Sequence, residues 1–287
     1  MDRCTQLPQE LIDIVFESTD DDEWTLRSCS LVCSSWLHSS RRHLFRRIVL
    51  LPPSCQYNSG SRPPLYGQRL HNLLDRSPHI ATYIRELQLY EGWSIRRQAW
   101  IGSDQSIPPV LGMLKGLKKI ELRRLRWNDL PLAFRHSIRN ILELPSLQFL
   151  EMELSDFASI DDFASLLSHA KGLTGLSLAE INIDYSFREP LSLEDANQEL
   201  EATEQSVYSG NRRHLLDLRL MTIDCPKFVD WLLGPKSPFD VSHVQTLHIT
   251  DLLVFPSVEL IINRLLHAIG GSLSRLKLDN PGRSWGE

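Results

Sequence analysis

Leu147-Gln148-Phe149-Leu150-Glu151-Met152 and Leu173-Thr174-Gly175-Leu176-Ser177-Leu178 follow one spelling: an apolar residue, two others, then an apolar pair split by a single residue. The split pair has a strand's period of two, which turns one face to a core and leaves the other open. The spelling recurs at Ile84-Leu87-Leu89, Leu117-Ile120-Leu122, Leu215-Leu218-Leu220, Val244-Leu247-Ile249 and Leu273-Leu276-Leu278. Its return roughly every 26 to 42 residues marks a stacked repeat, each unit burying its apolar face on the next. Helix-sized apolar patterns fill the intervals. Val110, Leu111 and Leu114 precede the second strand, Phe134, Ile138, Ile141 and Leu142 the third, and Phe163, Leu166 and Leu167 the fourth. Ser159 stands before that last run as an N-cap, with Asp162 in capping-box spacing. Cys225 to Leu233 stops at Gly234-Pro235, and Val258 to Ile269 at Gly270-Gly271, both helix-ending signals. Strand and helix in alternation predict parallel strands with helices outside.

This pattern resembles the leucine-rich repeat. It implies an α/β solenoid over residues 69–287, in about seven irregular repeats with the strands on the concave face. Such an arc presents a surface rather than performing chemistry. The residues between the buried leucines would line the concave face as substrate-binding candidates: Gln88, Glu121, Glu151, Ser177, Arg219, His248 and Lys277. Tyr90, Lys119, Arg123, Phe149, Glu153, Asp217, Met221 and Arg275 flank that row. The row passes from acidic at its middle to basic at its C-terminal end, a gradient that would orient an oppositely graded partner. The blander reading is that these charges keep a strand face soluble. Between the fourth and fifth strands, Glu189, Glu194, Asp195, Glu199, Glu201 and Glu204 mark a solvated, partly helical insertion. No helical pattern follows Leu278, so an uncapped C-terminal end is expected.

Composition narrows the class. The chain has 287 residues, 42% hydrophobic and 23% charged, which is ordinary for a globular protein. A net charge of -5 argues against a nucleic-acid binder, which needs a basic surplus to replace counterions. The start at Met1-Asp2-Arg3-Cys4 is not a signal peptide, and no apolar run is long enough for a membrane span. Five scattered cysteines then read as reduced thiols of a cytoplasmic or nuclear protein. Phosphate-binding glycine loops, H-E-x-x-H and C-x-x-C are all missing from the sequence. Cys29 and Cys33 share a helical face without a second ligand pair and read as core thiols. No catalytic residue, metal or cofactor is expected.

Residues 1–51 are organised differently. Leu7-Pro8-Gln9-Glu10-Leu11-Ile12-Asp13-Ile14-Val15 places proline in a first helical turn and Leu7, Leu11, Ile14 and Val15 on one face. Asp20-Asp21-Asp22-Glu23 suits the start of a second helix, and Arg41-Arg42-His43 the end of a third. Residues 52–68, containing Ser59-Gly60-Ser61-Arg62-Pro63-Pro64, read as a linker.

Leu7-Pro8, Glu10-Leu11-Ile12, Ser30-Leu31-Val32-Cys33, Trp36 and Arg42-His43-Leu44-Phe45-Arg46 together resemble the F-box, a small all-α bundle, in the form of a large fungal group. Ser34-Ser35 departs from that group, in which a basic residue is common at the first of these positions. The resemblance implies docking onto a Skp-type adaptor and, through it, onto a cullin–RING core. Leu7, Pro8, Leu11, Ile14, Val15, Leu31, Val32 and Trp36 would be the adaptor-binding residues, while Leu26 and Cys29 fill the bundle's core. The expected function is substrate recognition for a Skp–cullin–F-box ubiquitin ligase, recruiting a protein substrate with no active site of its own. The alternative is a ligase-independent interaction scaffold that the adaptor merely stabilises.

Overall fold

The computed structural model describes residues 8–18, 22–52, 67–92, 100–183, 212–221, 225–235, 237–250 and 256–279. Leu7, the linker stretch 53–66 and the acidic insertion 189–204 lie outside them.

Three helices come first. Pro8 opens α1 (Gln9–Ser18), its carbonyl accepting the N–H of Leu11 at 3.0 Å. Asp22 caps α2 (Glu23–Cys29) by accepting the Thr25 N–H at 3.1 Å, which satisfies one orphan donor of the first turn. α3 (Ser34–Leu44) packs on both, and Ser39 Oγ donates to Asp13 of α1 at 2.9 Å. Ile12 and Phe16, one turn apart, meet Leu26 in a small core closed by Cys29, Trp36 and Leu44. Leu26 and Cys29 thus sit where the sequence placed them.

The remaining elements alternate. They run β1 (Arg47–Leu50), α4 (Gly67–Arg76), β2 (Glu86–Tyr90), α5 (Trp100–Ser103), α6 (Ile107–Met113) and β3 (Lys119–Arg123). Next come α7 (Leu132–Leu142), β4 (Phe149–Glu153), β5 (Asp156–Phe157), α8 (Ile160–Ser168), β6 (Gly175–Ala179) and β7 (Asn182–Ile183). β8 (Arg213–His214), β9 (Asp217–Met221), α9 (Cys225–Leu233), β10 (Phe239–Asp240), β11 (Thr246–Thr250), α10 (Pro256–Ile269) and β12 (Arg275–Asp279) follow. Eight strands form one parallel sheet in the order β1-β2-β3-β4-β6-β9-β11-β12, so neighbours in space are neighbours in the chain of repeats. β5 pairs with β7, and β8 with β10, in two short parallel ladders.

The seven expected strands are all present. The eighth, β1, lies where the sequence reading kept the N-terminal module running to residue 51. Its Arg47–Leu50 pair in register with Glu86–Leu89, and Ile48 and Leu50 are fully buried.

The leucine rows supply one core, shared with Leu70 and Leu74 of α4, Val110 of α6, Ile138 of α7, Leu166 of α8, Leu232 of α9 and Leu265 of α10. Each such side chain contributes on the order of 1.5–3 kcal/mol when fully buried. An aromatic spine runs from Trp127 through Phe157 and Phe163 to Phe228, with ring centroids 6.1, 4.9 and 5.9 Å apart. It joins repeats on either side of residues 184–211.

Three consecutive repeats leave their strands by the same corner. Arg124, Leu154 and Glu180 follow β3, β4 and β6 in left-handed conformation, with φ of 61°, 52° and 51°. Their N–H groups donate to the last carbonyl of the next strand, those of Glu153, Ala179 and Met221, at 2.8–2.9 Å. Holding a non-glycine residue there costs about 1–2 kcal/mol, which these bonds offset. At the other end of the sheet, Leu276 and Leu278 of β12 are about half exposed, and no described strand follows.

Candidate protein-binding surfaces

The N-terminal helices keep more large apolar side chains in water than they bury. Leu11, Ile14 and Val15 of α1 point away from Ile12 and Phe16, and Ile14 is 60% exposed. Leu31 is 86% and Val32 60% exposed. Their backbone is not loose: Leu31 N–H donates to Ser28 and Val32 N–H to Cys29, both at 3.1 Å, which fixes the turn between α2 and α3. Pro8 is exposed as well. Trp24 of α2, 77% exposed, belongs to the same set and was not anticipated. Its aromatic ring beside the acidic run was the available signal. Trp36, expected as a docking anchor, is half-buried edge-on against Phe16, with centroids 5.7 Å apart at 81°. It packs against the bundle's core and keeps part of its surface open.

The second surface is the sheet face opposite the helices. The register puts Val49, Gln88, Glu121, Glu151, Ser177, Arg219, His248 and Lys277 side by side in one unbroken row. The seven residues expected there are brought together, and β1 adds Val49. Their exposure differs, however. Glu121 is only 3% and Ser177 5% exposed, so neither offers a contact surface. The cause for Glu121 is local: Arg47 lies 3.8 Å from one carboxylate oxygen, Arg123 pairs with the other, and both lie over it. Arg219 and Lys277 are exposed, and Gln88, Glu151 and His248 half-buried.

The expected charge gradient is neutralised pair by pair. Lys119 Nζ reaches Glu151 at 2.6 Å, Arg123 also binds Glu153 at 3.1 Å, Arg219 binds Asp217 at 2.7 Å and Lys277 binds Asp279 at 2.7 Å. Hydrogen bonds from Lys277 and His248 hold the Asp279 carboxyl below its ordinary range. Between the acidic and basic parts, Phe149 lies over Gly175, where any Cβ would collide with its ring. Lys119 Nζ and Arg219 Cζ flank the ring at 5.3 and 5.2 Å from its centroid, within cation–π reach. A shallow cleft of about 380 Å³ opens beside it, lined by Lys119, Phe149, Gly175, Leu216, Asp217 and Arg219. The face therefore has shape and a flat aromatic step, with charge matched internally.

Among the described residues, one cluster has the donor set of a metal site, His214, Asp240 and His243, which the sequence reading did not foresee. Partial burial would raise the Asp240 carboxyl, but hydrogen bonds from Ser242, together with the charge interaction with His243 and His214, outweigh it and hold the group below its usual range. No protein-family model matches the chain, and no curated protein matches it either. No helix among the described residues is long and apolar enough to cross a membrane.

Proposed function

We propose that this chain is a substrate-recognition subunit of a Skp–cullin–F-box ubiquitin ligase. Its N-terminal helices would dock the Skp-type adaptor, and its open sheet face would recruit a protein substrate. The observation that carries the reading is the exposure of Leu11, Ile14, Val15, Leu31 and Val32 on a bundle whose own core is Ile12, Phe16 and Leu26. So small a bundle is marginal alone, and a partner covering those side chains would supply the missing burial. These residues are also among those the F-box resemblance assigns to the adaptor. The parallel sheet with helices on one face supports the repeat half of the reading. Function would rest on proximity: recruitment raises the effective concentration of an acceptor lysine, and the bond-making groups belong to other subunits.

Co-purification of the full chain with a Skp-type adaptor and a cullin tests this. Ile14→Lys combined with Leu31→Lys, both at exposed positions, should cut adaptor recovery at least about tenfold, since losing interface anchors removes about 1.4 kcal/mol or more. Thermal unfolding of the sheet domain should not move. Undiminished adaptor binding by the double variant refutes the docking surface. Adaptor recovered without cullin leaves a ligase-independent scaffold.

A further inference from the structure

Where the chain enters β9 and β11, two imidazoles and a carboxylate converge on one point. β8 and β10 pair in parallel with His214 opposite Asp240, and the turn that follows β10 brings back His243. His214 Nδ1 lies 3.2 Å and His243 Nδ1 3.4 Å from the same oxygen, Asp240 Oδ2. The two rings stand 3.9 Å apart at 50°. Donor atoms of all three residues lie within 4.8 Å of one another. The other carboxylate oxygen, Oδ1, accepts the Ser242 N–H at 2.9 Å, which fixes the carboxylate's orientation. Ser242 Oγ lies 3.0 Å from His243 Nδ1.

The distances fit an ion-pair network and are also compatible with a coordination shell. A charge-assisted N–H···O bond closes to about 2.7–2.9 Å. Ligands held roughly 2.0–2.1 Å from a tetrahedral ion stand roughly 3.3–3.4 Å from each other. The two histidine–aspartate separations fall near that edge length and the two histidine donors lie within 4.8 Å of each other, so an ion would draw the imidazoles together and turn the Ser242 hydroxyl aside. Two nitrogen donors select against Mg2+ and Ca2+, which prefer oxygen, and suit a first-row divalent ion. A carboxylate fixed by a backbone N–H is the outer support such sites use. His214 and His243 are exposed, which leaves an entry path and a coordination position for water.

We infer that His214, Asp240 and His243 form a binding site for one divalent transition-metal ion of the zinc class. The ion would clip the segment entering β9 to the segment entering β11, fastening two neighbouring repeats. Titration calorimetry of the full chain with Zn2+ should give one site, and Mg2+ none. His214→Gln and His243→Gln should each weaken Zn2+ binding at least about tenfold, and the pair should abolish it. Asp240→Asn, which keeps the Ser242 hydrogen bond, should do the same and should remove the visible bands of tetrahedral Co2+ bound in place of zinc. His136→Gln, at an exposed position on α7, is the control and should bind like the parent. Zn2+ should raise the unfolding temperature of the parent and the control but not of the double variant. Equal binding by parent and double variant, or no Zn2+ heat and no Co2+ bands in the parent, overturns the site.

Discussion

Replacing Glu91 with glutamine should remove a pH dependence of stability whose sign and size follow from its surroundings. Glu91 follows β2, is 9% exposed, and accepts the N–H groups of Trp100 and, at 3.3 Å, Ile101 at the start of α5. Burial pushes its carboxyl from the ordinary 4.5 up to about 7, and the hydrogen bonds from Ile101 and Trp100 oppose that only in part. Between those two values the native chain holds a proton that the unfolded chain has lost. Stability therefore falls as pH rises through this window, and the penalty is complete above about 7. At about 1.4 kcal/mol per tenfold the full effect would be roughly 3 kcal/mol, and solvent access at the site's rim reduces it to about 1–2 kcal/mol. Urea unfolding of wild type and Glu91→Gln at about pH 5 and about pH 7.5 measures it. The advantage of wild type over variant should shrink by about 1–2 kcal/mol between the two conditions. Asp279, Glu143 and Asp240, whose carboxyls are held low, act in the opposite direction, losing stability as pH falls, but they cancel in the comparison. A difference that stays constant, or grows with pH, refutes the reasoning.

Glu121→Gln should cost about 1–3 kcal/mol, less than the roughly 3–5 kcal/mol for stranding a buried charge, because Arg123 retains Glu153 and Arg47 is exposed. A shifted urea midpoint checks it, and loss of partner capture without loss of stability would show that Glu121 is a contact after all. Gly175→Val should expel Phe149 from between Lys119 and Arg219 and cost about 1–3 kcal/mol, read from thermal unfolding; a neutral outcome would mean the ring does not rest on this backbone.

The strands were legible because a period of two survives single substitutions: Met152 stands in for leucine and Val244 for the leading apolar residue, and both are buried. β1 has the same spelling in Phe45-Ile48-Leu50, but it follows a basic helix end directly, and those residues read as the close of the N-terminal module. β5, β7, β8 and β10 have two residues each, too few to carry any period. Alternation told which face Glu121 occupies, but whether side chains from adjacent positions close over it depends on Arg47, in the unread strand. The histidine cluster was invisible for a related reason: only the pairing of β8 with β10 makes His214 a neighbour of Asp240. On α1 the apolar spacing named Leu11, Ile14 and Val15 correctly as a face, while giving no sign that the core would take Ile12 and Phe16 instead.

Strict register turns the open face into a measuring scale. Adjacent strands lie about 4.8 Å apart, so the row from Val49 to Lys277 is roughly 34 Å long. An extended segment laid across it advances about 3.4 Å per residue, and the two periods coincide after about seven residues and five strand steps. Gln88 and His248 stand five steps apart in the strand order, as do Val49 and Arg219. A ligand with two anchor side chains seven residues apart would therefore meet either pair in phase, and inserting a single repeat between them would put it out of phase.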